Sequence, residues 1–275
     1  IAQRRKAEQA DRMRRGWGAH LLEFTVMDAK HTASERRQSF RDAGGQGTIV
    51  FDPKRLQQVA PSIFEPASYA DQALRVRGQG GRGSAWFVRG EFGDGVLRHY
   101  RRGGWMARVS AEHYFWHGER RVRSIREFEL LQRLHGLGLP VPAPIAAYYR
   151  RSAWRYRAAI VVERIAGVSS FAEVVAADGP LAPWTAVGTA IGRFHRRLAH
   201  HSDLNAQNIL VDAHGMVYLI DWDKGRIEVS LGEWCGRVLD RLQRSLLKEC
   251  KNMPRASIEA GMIQLREAHD RELAA

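Results

Sequence analysis

Strand-like patterns dominate the first half of the chain. The apolar run in TIVFDP predicts a strand over residues 48–53, which a proline ends. SAWFVRG and GVLRHYRR predict two more strands, and the turn-forming EFGDG between them predicts a hairpin. The nearly continuous apolar run AAIVVERI, residues 158–165, predicts a buried strand. Together these segments indicate a β-rich region.

Helical spacing dominates the second half, and one helix is predicted before it. Apolar residues in SIREFELLQRLHGLG, residues 124–138, recur at helical spacing; Ser124 is a candidate N-cap, and Gly136 or Gly138 a candidate stop. SSFAEVVAAD, PWTAVGTAIGRFHRRLAHH and most of the chain after residue 231 also predict helices. NILVD and MVYLIDWD predict a hairpin among them. The predicted fold class is therefore α+β, with a small β-rich lobe before a larger α-rich lobe.

Three regions follow from these patterns. Residues 1–45 are charged and end in DAGGQG, so we expect a flexible extension, or sequence upstream of the true start. Residues 46–163 form the expected β-rich N-lobe, with a glycine-rich loop and one helix. Residues 164–275 form the expected helical C-lobe, with a catalytic loop and a metal-binding hairpin.

Composition restricts the class of protein. A hydrophobic content of 44% with 27% charged residues is typical of a globular protein. Two cysteines, Cys235 and Cys250, are too few for a disulfide framework or a zinc cluster and fit a reducing compartment. No apolar run reaches the roughly 18 residues that span a bilayer, and Glu23 interrupts the short stretch AHLLEFTVM. We therefore expect a cytoplasmic protein without a secretory signal.

The net charge is strongly positive, at +13. Residues 74–126 hold twelve arginines, no lysine and four acidic residues, which favours a polyanionic partner: nucleic acid, an anionic membrane or a phosphorylated substrate. A solvated basic face is the alternative. Aromatic residues among these arginines suit an interface with membrane or single-stranded nucleic acid, and suit core packing equally well. They are Trp105, Tyr114, Phe115 and Trp116.

The most specific chemical signal is HSDLNAQNIL, residues 201–210. Its H-x-D-x-x-x-x-N spacing matches a kinase catalytic loop, with Asp203 at the centre and Asn208 at the start of the next strand. Phosphoryl transfer needs a carboxylate to orient or deprotonate the attacking hydroxyl, and oxygen ligands for Mg²⁺. Asp203 fits the first need, and Asn208 with Asp221, which ends VYLID, fits the second. The alternative is that all three cap turns. For His201 we expect packing that holds the loop, in preference to proton transfer.

A glycine cluster upstream could cover nucleotide phosphates. Gly78, Gly80 and Gly83 have G-x-G-x-x-G spacing and precede a strand, which argues against a dinucleotide-binding turn and for a loop folded over phosphates. A glycine-rich linker is the alternative.

A cation and its partner are predicted downstream of this loop. Arg98 occupies the position of the lysine in V-A-I-K and can clamp phosphate oxygens bidentately. Glu127, on the following helix, is the candidate ion-pair partner, whereas Glu129 would point elsewhere. Ordinary surface charge is the alternative for both Arg98 and Glu127.

Five segments resemble, in order, the landmarks of the lipopolysaccharide kinase family within the protein-kinase-like superfamily: GRGSAWFV, VLRHYRRGG, LLQRLHGLGLPVPAP, HSDLNAQNIL and LIDWDKG. The resemblance runs from about residue 47 to about residue 250. It implies a bilobal protein-kinase-like fold and ATP-dependent phosphorylation of the 4-hydroxyl of 3-deoxy-D-manno-octulosonic acid (Kdo) on a lipid A precursor, in lipopolysaccharide core biosynthesis. The implied location is peripheral, on the cytoplasmic face of the inner membrane. The expected partners are the Kdo-lipid and that anionic surface, without nucleic acid or an obligate protein partner.

The same resemblance implies a role for individual residues. The backbone from Glu163 to Ile165, after the apolar strand, would hold the adenine of ATP. The side-chain roles are catalytic base for Asp203, Mg²⁺ ligands for Asn208 and Asp221, phosphate contact for Arg98, and positioning of that arginine for Glu127.

Three other functions remain open at this point. A soluble small-molecule phosphotransferase of the aminoglycoside-kinase type shares the two acidic motifs but would need an acidic acceptor pocket, because aminoglycosides are cations. A protein kinase is disfavoured, since no A-P-E-like segment follows Asp221. A non-catalytic nucleic-acid-binding module could use the same basic surface, but the intact acidic motifs argue against it.

Overall fold

The computed structural model describes residues 35–76, 85–100 and 113–275. The predicted glycine-rich loop of Gly78, Gly80 and Gly83 lies outside these residues, as does Trp105. Residues 36–275 belong to one compact unit.

An antiparallel sheet of eight strands makes up the first part of this unit. Its strands are β1 (Arg36–Asp42), β2 (Gly45–Phe51), β3 (Leu74–Arg75), β4 (Ala85–Gly90), β5 (Gly93–His99), β6 (Tyr114–Phe115), β7 (Pro144–Ser152) and β8 (Arg155–Glu163). The strand order is β1-β2-β7-β8-β5-β4-β3, and β6 pairs with the start of β8. The predicted β4–β5 hairpin is present, with Ala85 opposite Arg98.

The two central strands are apolar on both faces. In β7, Tyr149 contributes to a core that includes the helices, whereas Tyr148 contributes to a second core on the other face of the sheet. In β8, Ile160 contributes to the core that includes the helices, and Val161 contributes to the second core. Alternate residues of a strand point to opposite faces, so a strand covered on both sides reads as a continuous apolar run.

Residues 36–45 were wrongly assigned to the extension. Arg36–Asp42 pairs along its whole length with Gly45–Phe51 as an antiparallel hairpin. The side chains of this edge strand are almost all exposed, so it shows no apolar periodicity. Its register comes from main-chain hydrogen bonds, which leave no pattern in the sequence.

Helices form most of the remaining structure. They are α1 (Arg123–Gly136), α2 (Phe171–Asp178), α3 (Trp184–Arg196), α4 (Trp234–Glu249) and α5 (Arg255–Ala274). Short strands lie between them: β9 (Val168–Ser170), β10 (Ala199–His200), β11 (Ile209–Asp212), β12 (Val217–Leu219) and β13 (Arg226–Ile227). The predicted hairpin is β11–β12, and β9 joins it as a third strand. The predicted α+β, kinase-like fold class is confirmed.

Helix α1 lies against the sheet and positions a charged residue of the site. The predicted N-cap was wrong: Val122 occupies that position, and the buried Ser124 hydroxyl instead donates to the carbonyl of Tyr148 in β7 at 2.8 Å. Ser124 faces the sheet, so its nearest acceptor is a strand carbonyl. The predicted stop is confirmed, because the helix ends at Gly136 and Gly138 follows with a φ of 70°.

None of the described helices combines the length and hydrophobicity needed to cross a membrane.

Candidate active site

The loop from His201 to Asn208 is folded by its own amide side chains. The side-chain oxygen of Asn205 accepts from the backbone N–H groups of Gln207, at 2.9 Å, and Asn208, at 3.2 Å. The side-chain nitrogens of Asn205 and Asn208 both donate to the main-chain oxygen of Asp203, at 3.0 and 3.3 Å. The main chain of Asp203 is therefore held in place independently of its carboxylate.

His201 attaches this loop to the β11–β12 hairpin. Its ring is 2% exposed, its Nε2 lies 2.9 Å from the carbonyl oxygen of Ile220, and it packs on Trp222 with 4.7 Å between centroids. Burial lowers the pKa of His201, although the Ile220 carbonyl and the carboxylates of Asp221 and Asp203 oppose that shift. The contacts support the expected packing role for this histidine.

Asn208 and Asp221 lie at the same end of the hairpin. The backbone N–H of Ile220 donates to the carbonyl of Asn208 at 3.0 Å, which fixes the two predicted Mg²⁺ ligands next to each other in the fold. Asp221 has a φ of 64°, a conformation that aspartate tolerates better than most residues but that still costs about 1 kcal/mol or more. The side chain of Asp221 is 42% exposed.

Arg98 connects the sheet, helix α1 and this hairpin. One guanidinium nitrogen donates to Asp221, and another donates to Glu127, with the contact to Oε2 at 2.5 Å. Glu127 is 2% exposed and also accepts from the hydroxyl of Tyr100. The predicted pair of Arg98 and Glu127 is therefore present. Glu129 points elsewhere, as predicted, and pairs with Arg37 at 2.7 Å.

The ionisation states in this cluster follow from burial and close charges. Burial opposes the charge of Arg98, but Asp221 and Glu127 outweigh it and raise the pKa of the guanidinium well above its usual value. Burial would raise the pKa of Asp221, yet Arg98 lowers it. Burial raises the pKa of Glu127, which Arg98 only partly offsets. Burial and Glu127 raise the pKa of Tyr100, so its hydroxyl remains a donor.

A second arginine–aspartate pair lies beside the first. Arg123, at the start of α1, binds both carboxylate oxygens of Asp223, with Nε to Oδ1 at 2.7 Å, and donates to the hydroxyl of Tyr114 at 2.6 Å. Arg123 belongs to the arginine-rich stretch of residues 74–126, for which the sequence predicts a polyanionic partner, but the structure pairs its charge with Asp223 instead. The second aspartate of LIDWD was the signal that could have revealed the pair.

The carboxylate of Asp203 is flanked by two cations that sequence reasoning missed. Arg241, on α4, donates to Oδ1, and the amine of Lys224 lies 3.4 Å from Oδ2. Lys224 is close in sequence and was detectable from LIDWDK. Arg241 is separated from Asp203 by 38 residues and has no local signal.

The predicted adenine-binding segment joins the sheet to the helical part. The backbone N–H of Glu163 donates to the backbone carbonyl of Ala143 at 2.8 Å, and the backbone N–H of Arg164 donates to the backbone carbonyl of Asp94 at 3.1 Å. The Glu163 side chain pairs with Arg55 at 2.9 Å, and Ile165 is partly buried in the irregular segment that follows β8. These contacts fix the path of the backbone, and its role toward adenine stays a prediction.

The oxygen donors at the end of the hairpin determine which metal ion could bind there. No group of three or more His, Cys, Asp or Glu suited to a metal occurs among residues 35–76, 85–100 and 113–275. Mg²⁺ at nucleotide sites takes one or two protein ligands and completes its shell with phosphate and water. The Asp221 carboxylate and the Asn208 amide oxygen fit that kind of site. In the structure, the Asp221 carboxylate accepts a hydrogen bond from Arg98.

Sequence comparisons find one family and several relatives that the chain resembles over most of its length. The model of the "Lipopolysaccharide kinase (Kdo/WaaP) family" matches residues 67–268. The chain is 46% identical over 238 residues to the 3-deoxy-D-manno-octulosonic acid kinase of Stenotrophomonas maltophilia (strain K279a), an alignment that covers 86% of this chain and 95% of that protein. With the same coverage, it is 46% identical to the enzyme of that name from Xanthomonas axonopodis pv. citri (strain 306) and 44% identical to that from Xylella fastidiosa (strain M12).

Proposed function

Because the chain belongs to the lipopolysaccharide kinase (Kdo/WaaP) family, a family of kinases, we propose that it transfers the γ-phosphoryl group of ATP to Kdo on a lipid A precursor. One observation carries this proposal. Asp203 is held by the side-chain amides of its loop, near the hairpin end that carries Asn208 and Asp221, in a chain whose relatives at 44–46% identity are named for that acceptor. The 4-hydroxyl is the acceptor atom that the family resemblance favours.

In the proposed reaction, Asp203 accepts the proton of the acceptor hydroxyl. The hydroxyl oxygen forms a bond to the γ-phosphorus, the bond from that phosphorus to the bridging oxygen breaks, and ADP leaves with the electron pair. Mg²⁺ held by Asn208 and Asp221 would supply positive charge to the phosphates. Arg98 supplies a permanent cation at the same cleft, held in position by Glu127.

The charges beside Asp203 support an acidic acceptor. Arg241 and Lys224 both point at its carboxylate, so a polycationic aminoglycoside would meet two like charges at the reacting hydroxyl. This arrangement disfavours the aminoglycoside-kinase alternative.

The proposed location is peripheral, on the cytoplasmic face of the inner membrane, where a lipid-linked acceptor is presented. Phe115 and Trp154 are 48% and 53% exposed and stack at 5.3 Å between centroids, and Arg155 lies 4.1 Å from the Trp154 ring. The surrounding segment, residues 150–157, has four arginines and no acidic residue. Exposed aromatic rings beside arginines suit the interface of an anionic bilayer.

Cosedimentation with vesicles tests this location. Trp154→Ala should weaken binding to phosphatidylglycerol vesicles several-fold, and high salt should weaken binding by the wild-type protein. Leu181→Ala, which removes another exposed apolar side chain, from the segment between α2 and α3, is the control. Binding that is insensitive to both Trp154→Ala and salt would contradict the proposed surface.

A direct assay tests the activity. The purified protein is incubated with ATP, Mg²⁺ and a Kdo-bearing lipid A precursor, and mass spectrometry should detect one added phosphate on the sugar. Asp203→Ala should lower kcat by about 100-fold or more with ATP affinity nearly retained, because the base is lost and not the nucleotide site. If kcat fell by less than about tenfold, which corresponds to roughly 1.4 kcal/mol of barrier, the proposed role of Asp203 would be contradicted. Asp240→Ala, an exposed carboxylate on α4, is the matched control.

A further inference from the structure

Asp203 has more cationic partners than its place in the reaction requires. Its main-chain oxygen is held by Asn205 and Asn208, so the loop needs no ion pair to keep its shape. Even so, Arg241 and Lys224 occupy its two carboxylate oxygens, one each. An acceptor hydroxyl must approach one of these two oxygens, so it competes with a cation that is already there. The two cations therefore oppose catalysis unless something else takes them.

Both cations have a fixed backbone and an exposed head. Helix α4 is fastened to the catalytic loop by the N–H of Ala206, which donates to the Ser245 hydroxyl at 3.1 Å, one turn beyond Arg241. The carbonyl of Lys224 accepts from the Ser202 hydroxyl at 2.8 Å. The side chains of Arg241 and Lys224 are nevertheless 45% and 61% exposed. Exposed ion pairs contribute little net stability, so these contacts can be exchanged at small cost.

From this geometry we infer that Arg241 and Lys224 form an anion-binding subsite that takes the carboxylate of the acceptor sugar. The inference rests on the proposed function, whose acceptor is an octulosonic acid and carries one carboxylate. Arginine binds carboxylates bidentately, so an arriving acceptor carboxylate can replace Asp203 as the partner of Arg241. The exchange frees Oδ1 of Asp203 to accept the hydroxyl proton. An acidic acceptor thus binds and completes the catalytic base in the same event.

The test compares two acceptors that differ at the carboxylate alone: the Kdo-bearing lipid A precursor and its Kdo methyl ester, in which one methyl group removes the negative charge. Wild-type kcat/KM should be at least about tenfold higher with the acid, the effect of one charge-assisted hydrogen bond. Arg241→Gln should bring the two values to within about twofold, by lowering the value for the acid while the value for the ester stays the same or rises. Arg241→Lys should retain part of the preference, because the charge remains but the bidentate geometry is lost.

Arg237→Gln is the matched control. Arg237 lies one turn earlier on α4 and pairs with Glu233 at 3.1 Å, so this change also removes one positive charge and one ion pair from the helix. The ratio of kcat/KM for the acid to kcat/KM for the ester should be the same in Arg237→Gln as in the wild type. The ratio between the two acceptors is the informative readout, since a general loss of folding or of Asp203 geometry lowers both values together.

The outcomes separate the subsite from the proposed function. Equal kcat/KM values for acid and ester in the wild type, or an undiminished preference in Arg241→Gln, would overturn the subsite while leaving the kinase activity established. Phosphate on neither acceptor would overturn the proposed function, and the subsite with it.

Discussion

Glu127→Gln removes a negative charge from the interior of the site while nearly preserving the shape of the side chain. Glu127 is 2% exposed and accepts hydrogen bonds from Arg98 and Tyr100. The amide has one acceptor atom where the carboxylate has two, and its nitrogen is a donor that faces other donors. Arg98 is then left with Asp221 as its charged partner.

The expected loss of stability can be worked from exposure. Removing one partner of a fully buried ion pair costs about 3–5 kcal/mol. Arg98 is 24% exposed and keeps Asp221, and burial already offsets part of the contribution of Glu127, as its raised pKa shows. We therefore expect a loss of about 2–3 kcal/mol. For a compact unit of this size, each kcal/mol lowers Tm by about 2–4 °C, so the decrease should be about 4–12 °C.

Thermal unfolding followed by circular dichroism near pH 7.5 measures this decrease. Glu129→Gln is the matched control, because Glu129 lies two residues further along α1, is 48% exposed and pairs with Arg37. An exposed pair contributes at most about 1 kcal/mol, so its Tm should fall by less than about 4 °C. Glu127→Gln should also raise the KM for ATP, since Arg98 loses one of the two carboxylates that position it. Equal Tm values for the two variants would refute the argument that breaking a buried ion pair costs more than breaking an exposed one.

Three further predictions concern the rest of the fold. Arg123→Gln should lower Tm by a few degrees and reduce kcat, because it removes the ion pair between α1 and Asp223. Exchanging the two residues, Arg123→Asp with Asp223→Arg, should recover part of the Tm and part of the kcat, which a simple packing defect would not allow. Gly188→Ala should lower the free energy of unfolding by at least about 2 kcal/mol, because its Cβ would lie 2.1 Å from a main-chain oxygen of α5. Gly236→Ala on α4 is the control: its Cβ meets open space, so urea unfolding should show an equal or higher stability. Burial lowers the pKa of His195 from 6.5 to about 3, so below pH 6.5 the unfolded state binds more protons than the folded state. The free energy of unfolding should therefore decrease as the pH falls from 6.5 towards 3, by about 2 kcal/mol at pH 5. His195→Gln should remove this decrease from a series of urea-unfolding measurements at different pH values.

Elements with strong local patterns were predictable from the sequence. The β4–β5 hairpin was detectable because a glycine-containing turn separates two short apolar strands. The candidate catalytic loop was detectable because its motif lies within eight consecutive residues, 201–208. The pairing of Arg98 with Glu127 was reached by placing each on its own element, and the structure confirms the contact.

Elements without a local pattern were not predictable. The edge strand Arg36–Asp42 has polar, exposed side chains, and only its main-chain pairing with β2 makes it a strand. Ser124 carries the signature of an N-cap, yet the approach of β7 offered its hydroxyl another acceptor.

The sequence alone determined which candidate catalytic side chains the chain carries, because residues 201–208 and Asp221 belong to two short motifs, HSDLNAQN and LIDWD. Only the tertiary structure decided which charges meet. Asp203 pairs with Arg241 across 38 residues, and Arg123 pairs with Asp223 across 100. The partner of a charge depends on how separate elements pack, and an arginine on an exposed helix face has the same sequence context whether it faces water or a catalytic carboxylate.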